Sequence, residues 1–140
     1  MPVSDKILGL LGLMRRANAI AVGESNTGAA VKSGKAKLLL LASDASDNAR
    51  RRAETFVYGH NTVMLSLPYK KEDIATSVGL VGCSMTAVTD IGFSNALLKA
   101  LTVVDKEKYG SIADEVEKRF LKAERRKTKR TATGDSRGSV

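Results

Sequence analysis

The chain has 140 residues and a formal net charge of +8, with one cysteine, one histidine and no tryptophan. That length suits a single domain, and the lone Cys83 excludes an internal disulfide or a cysteine-based zinc cluster. With His60 the only histidine, a Cys/His metal site and a Ser-His-Asp triad are disfavoured as well.

Taken in order, Ile7, Leu10, Leu11 and Met14 make the i, i+3, i+4, i+7 stripe of an amphipathic helix. Arg15 and Arg16 fall in its last turn, where they suit the helix dipole or face a polyanion. Ala19 to Val22 is a short strand candidate. The stretch Gly23-Glu24-Ser25-Asn26 opens a second helix, with Ser25 or Asn26 expected as its cap, and Gly34 closes it as a left-handed C-terminal residue. Four consecutive leucines, Leu38 to Leu41, then read as a strand buried on both faces. N–H groups left by this unit, beside Lys32, Lys35 and Lys37, form a docking place for a polyanion.

Ser43-Asp44 leads to a third helix, from near Ser46 to Tyr58, with Ala49, Ala53, Phe56 and Val57 on one face. Arg50, Arg51 and Arg52 lie off that face and are expected to be solvated surface. Gly59-His60-Asn61 is a turn, and Thr62 to Leu67 is a strand ended by Pro68. Tyr69 to Asp73 starts a short helix through Ile74, Ala75 and Val78, stopped by Gly79. The loop Gly79-Leu80-Val81-Gly82 carries two exposed-looking apolar residues. Met85 to Thr89 is the last strand, and Asp90-Ile91-Gly92 turns into a helix with Phe93, Ala96, Leu97, Ala100 and Leu101 as its buried side. Strands and helices alternate throughout, which argues for a three-layer α/β/α sandwich around a small four-stranded mixed sheet.

The character changes after Val104. Asp105 to Leu121 is expected to form one more helix, with Ile112, Val116, Phe120 and Leu121 as a weak stripe. From Lys118 to Val140, nine Lys or Arg stand against Glu124 and Asp135, so this segment holds +7 of the net +8. Residues 122–140 offer no apolar stripe to offset the entropy of ordering and are expected to be disordered. The division is therefore a domain over 1–104, an extra helix over 105–121 and a basic tail. A basic tail favours nucleic acid or another acidic surface, against the simpler reading of a solubilising segment.

Enzymatic signatures are missing from the sequence. Neither G-x-G-x-x-G nor G-x-x-x-x-G-K-[ST] occurs. Asp44, Asp47, Asp73 and Asp90 sit at strand and helix ends, where catalytic carboxylates often lie, but helix capping explains each more simply. Cys83 reads as a small buried hydrophobe. Aromatic residues are too few for base stacking on a sheet. Apolar runs fall short of a membrane span, and no cleavage pattern follows Asp5-Lys6, so the expected setting is cytoplasmic.

Several motifs together resemble one family. They are Leu8-Gly9-Leu10 with Arg15-Arg16-Ala17, Gly23-Glu24 with Gly34-Lys35-Ala36-Lys37-Leu38, Ala42 to Ser46, the helix from Tyr69 to Gly79, and Ala87-Val88-Thr89-Asp90 with Gly92-Phe93. Over about residues 5–103 the chain resembles the ribosomal L-seven-Ae superfamily of kink-turn RNA-binding proteins, with the L-thirty-e and Gadd-like fold, and within it the small bacterial YlxQ-type members. The resemblance implies an α/β/α sandwich that grips a sharply bent RNA through the loop and start of the second helix. In the family an Asn-Glu pair and a later Lys there face tandem sheared G·A pairs, and an apolar loop, here Leu80-Val81, packs on a splayed nucleotide. Gly23 and Gly34 match the bounding glycines of that motif. Ser25 stands at the Asn position, Asn26 at the Glu position and Ala29 at the Lys position, which are departures at the reading residues. A neutral amide accepts weaker hydrogen bonds from guanine than a carboxylate does.

The expectation is a monomeric, non-enzymatic, ribosomal-protein-like RNA-binding protein that uses no cofactor, metal, membrane or small-molecule substrate. Its RNA site would comprise Gly23, Glu24, Ser25, Asn26, Lys32, Lys35, Lys37, Leu80 and Val81, on a structured ribosomal or ribosome-associated RNA. The alternative is a protein–protein adaptor on the same fold, which the residues at 25, 26 and 29 would permit.

Overall fold

A computed structural model describes residues 3–79 and 84–138, with side chains over 6–79 and 84–128. In chain order the elements are α1 (Val3–Arg16), β1 (Ile20–Val22), α2 (Glu24–Lys32), β2 (Leu38–Leu41), α3 (Asp47–Val57), β3 (Val63–Ser66), α4 (Lys71–Val78), β4 (Met85–Val88), α5 (Ile91–Val104) and α6 (Lys106–Gly138). The strands form a four-stranded sheet in the order β1-β4-β2-β3. β4 runs antiparallel to both β1 and β2, whereas β2 and β3 are parallel, so the sheet is mixed as expected.

The leucine run shows why both faces must be covered. Successive strand residues point to opposite faces. Leu38 and Leu40 therefore join Ile7, Leu11 and Met14 of α1, Ile74 of α4 and Leu97 of α5 in one layer. Leu39 and Leu41 pack instead with Ala30 and Val31 of α2 and Ala49 and Ala53 of α3. A strand with a polar residue at any of these positions would strand that group in an apolar layer. Small residues let α2 and α3 lie close on their side. A Cβ added at Gly28 would sit 2.8 Å from the Phe56 ring, so the α2–α3 contact is built on its absence.

Local signals account for the helix ends. Ser46 Oγ accepts the Ala49 N–H at 3.1 Å and starts α3. Asp90 Oδ1 accepts the Phe93 N–H at 2.8 Å and starts α5. Asp44 reaches across from the end of β2 to accept the Lys71 N–H at 2.8 Å, at the first turn of α4. Gly79 ends α4 in the left-handed region at φ 76°. Asp44 and Asp90 thus satisfy helix N–H groups, as capping requires.

Three expectations about the helices change. The buried side of α5 is Ser94, Asn95, Leu97, Leu98 and Leu101, while Ala96 is exposed and Phe93 and Ala100 are half-buried. α6 packs along α5 and meets a further side of it, with Phe120 beside Gly92 and Glu117 paired to Lys99. On α6 itself Val116 is buried and Leu121 is half-exposed, but the main anchor is Tyr109, only 1% exposed. Its phenol donates to the Ser66 carbonyl at 2.6 Å, across the end of β3. Finally, α6 runs past Leu121 to Gly138 without a break, where the sequence reading ends order. Ala, Glu, Lys and Arg are strong helix formers, and a packed first half supplies the nucleus that an isolated segment lacks.

Candidate nucleic-acid interface

The topology places the expected site residues at two ends of the sheet. β1, β2 and β3 all point one way, so α2 and α3 both begin at their C-terminal ends. At that end Gly23 is the N-cap of α2, with φ 93° and ψ 162°. Its N–H donates to the Met85 carbonyl at 3.1 Å, continuing the β1–β4 ladder to the last residue before the helix. The chain must then turn within one residue, at a φ that only glycine adopts without strain. Neither Ser25 nor Asn26 caps the helix, contrary to the sequence reading, because both lie inside its first turn.

That correction leaves both residues facing outward. Ser25, Asn26 and Ala29 are exposed, whereas Thr27, Gly28 and Ala30 are buried beneath them. Asn26 Nδ2 donates to the Val22 carbonyl at 2.9 Å, which directs the amide oxygen away from that bond. Since no side chain caps α2, its first-turn N–H groups stay available to an acceptor. Glu24 does not present a free charge. Both of its carboxylate oxygens accept from Arg52 NH1, at 3.0 and 2.9 Å. Arg52 is exposed, as expected, and in addition ties α3 to the entrance of α2. Arg50 likewise reaches Ser66 Oγ at 3.4 Å. The Arg52 contact follows from the parallel alignment of α2 and α3, which the sequence does not display.

Leu80 and Val81 lie outside the described residues. The chain on their C-terminal side returns to this end of the sheet, where Met85 receives the Gly23 N–H.

Lys32, Lys35 and Lys37 do not join this group. Lys32 ends α2, and nine helical residues span roughly 13 Å along the axis. Gly34 reverses the chain at φ 76°, in the left-handed turn expected of it. Lys37 then lies against the start of β3 and the end of β4, its N–H donating to Val88 and its carbonyl accepting from Val63. The continuous grip from Gly23 to Lys37 is therefore divided by the full length of the helix. Lys37 instead faces His60, Arg119, Lys122 and Arg126 across a groove of about 620 Å³.

Among the described residues no group of three or more His, Cys, Asp or Glu could hold a metal ion. No helix among them is long and apolar enough to cross a membrane.

The profile of the ribosomal protein L7Ae/L30e/S12e/Gadd45 family matches residues 5–98. The chain is 33% identical over 96 residues to the RNA-binding protein YlxQ of Bacillus subtilis (strain 168), covering 66% of this chain and 91% of that one. A protein of unknown function from Bacillus halodurans C is 26% identical and superposes with a TM-score of 0.62, over 68% of this chain and 95% of its own. The 15.5kD RNA binding protein of Giardia lamblia shares the fold at 17% identity and a TM-score of 0.57, over 74% of this chain and 88% of its own. The family match ends at residue 98, within α5, so α6 lies beyond it.

Proposed function

The chain belongs to the ribosomal protein L7Ae/L30e/S12e/Gadd45 family, and on that footing we propose that it is a non-enzymatic RNA-binding protein that grips a bent, structured RNA at the entrance of α2. The observation that carries this reading is the pair Ser25 and Asn26, exposed side by side on an uncapped first turn. A hydroxyl, an outward amide oxygen and free backbone N–H groups together offer both acceptors and donors. Such a surface can meet the amino edges of guanine and a phosphate oxygen. Leu80 and Val81, which lie outside the described residues, are proposed from the family resemblance to meet an unstacked base. A ribosomal or ribosome-associated RNA is the expected partner, bound by a monomer in the cytoplasm.

The adaptor reading retains one specific support. Asn26 is neutral and Ala29 has no cation, so the charge-assisted contacts of a kink-turn reader are absent at both positions. The test is a titration of a hairpin carrying two tandem sheared G·A pairs, against the same hairpin with those pairs made Watson–Crick. Ser25→Asn with Asn26→Glu should increase the preference for the G·A hairpin by about 1 to 3 kcal/mol, the worth of good base contacts. The new carboxylate suits the helix N-terminus, although it forfeits the 2.9 Å bond to Val22, a loss of about 1 kcal/mol in stability. Equal affinity for both hairpins, before and after the change, would refute the kink-turn reading and favour the adaptor.

A further inference from the structure

The groove at the opposite end of the sheet has no part in that reading. Lys37 enters it from the start of β2, His60 from the turn before β3, and Arg119, Lys122 and Arg126 from α6. No Asp or Glu lines it. Arg119 is held in place, with NH1 donating to the Asn61 carbonyl at 2.6 Å and Nε to Glu115 at 3.2 Å. Lys37, Lys122 and Arg126 take part in no ion pair among the described residues. Glu115, outside the lining, offsets the charge of Arg119, and Glu117 pairs with Lys99, so the uncompensated cations of the groove are Lys37, Lys122 and Arg126. Cations gathered into one concavity without an internal counter-charge repel one another and focus a positive field.

We propose that this groove is a second RNA site that holds the phosphodiester backbone of a strand running on from the RNA gripped at α2. The inference rests on the RNA-binding reading above. A backbone contact fits better than base recognition, because no Phe, Tyr or Trp lines the groove and the His60 imidazole is a single ring, too little to stack successive bases. Positions 119, 122 and 126 step along one face of α6 and span roughly 10 Å of its axis. That spread follows a strand, whereas a single small anion needs its donors converging on one point. RNA is favoured over an acidic protein because a strand already held at α2 reaches the second site at high effective concentration. Each cation then neutralises a phosphate without reading sequence.

The test uses the full chain and two RNAs: the G·A hairpin alone, and the same hairpin with a twelve-nucleotide uridine extension at either end. Wild type should bind one extended RNA more tightly than the bare hairpin. Its log–log salt slope should be steeper by about 2, from roughly 0.7 per phosphate on a single strand. Lys122→Gln with Arg126→Gln should remove most of that gain, and adding Lys37→Gln the rest, with hairpin affinity unchanged. The first pair sits on exposed positions of α6, and an unchanged melting temperature excludes misfolding as the cause. Extensions that add nothing to wild-type binding, or a triple variant that keeps the full slope, would overturn the second site and leave the α2 reading standing. Binding of neither RNA would refute the α2 reading and this site with it. Binding of polyglutamate in place of the extension, lost in the triple variant, would also overturn it by assigning the groove to an acidic protein.

Discussion

Replacing Tyr109 by Phe tests whether α6 is part of the folded domain. The phenol is buried and gives its proton to the Ser66 carbonyl at 2.6 Å. Phe keeps the packing but leaves that carbonyl without the phenol donor, a loss of about 1 to 3 kcal/mol. At roughly 3 °C per kcal/mol for a chain of this size, the melting temperature should fall by roughly 3 to 9 °C. The pH dependence gives a second, independent readout. Burial, with smaller contributions from Asp105 and Tyr69, pushes the Tyr109 phenol from 10.0 up to about 12. Below pH 10 it is protonated in the folded and unfolded chains alike, so its contribution is complete. Between pH 10 and 12 the unfolded chain loses this proton while the folded chain keeps it, so stability falls as pH rises. Two units correspond to an upper value of roughly 2 to 3 kcal/mol at this site. Urea unfolding of both proteins from pH 8 to 12 should therefore show their difference shrinking above pH 10. A melting temperature within about 1 °C of wild type, or a difference that stays flat across that limb, would refute the anchoring role.

Gly28→Val should destabilise by about 1 to 3 kcal/mol, because its Cβ meets the Phe56 ring at 2.8 Å; Phe56→Leu in the same chain should restore part of the loss in denaturant melts. Asp90→Ala should cost about 1 kcal/mol by releasing the Phe93 N–H at the start of α5, and Asp90→Asn should cost less, since its amide oxygen can still accept that bond.

Much of the architecture follows from local pattern. Four adjacent leucines require a strand covered on both sides, and Leu38 and Leu39 do pack into opposite layers. Asp90 and Ser46 cap the helices they precede, and Gly34 and Gly79 turn left-handed where helices end. These signals are short-range: each depends on a residue type and its neighbours within a turn, so the chain alone determines them. What the chain alone does not determine is which distant residues meet. Parallel α2 and α3 bring Arg52 onto Glu24, 28 positions away. The sheet order sets Lys32, Lys35 and Lys37 at the end of the domain opposite Ser25 and Asn26, although they lie within 12 positions of them. Tyr109 looks like an isolated aromatic in a polar stretch until Ser66, 43 residues earlier, supplies its acceptor. The same packing on α5 nucleates a helix that composition alone would leave unordered, and so brings Lys122 and Arg126 beside Lys37. Local propensity sets the elements, but burial and long-range hydrogen bonds choose their neighbours, and the charged surfaces of this protein are made by those neighbours.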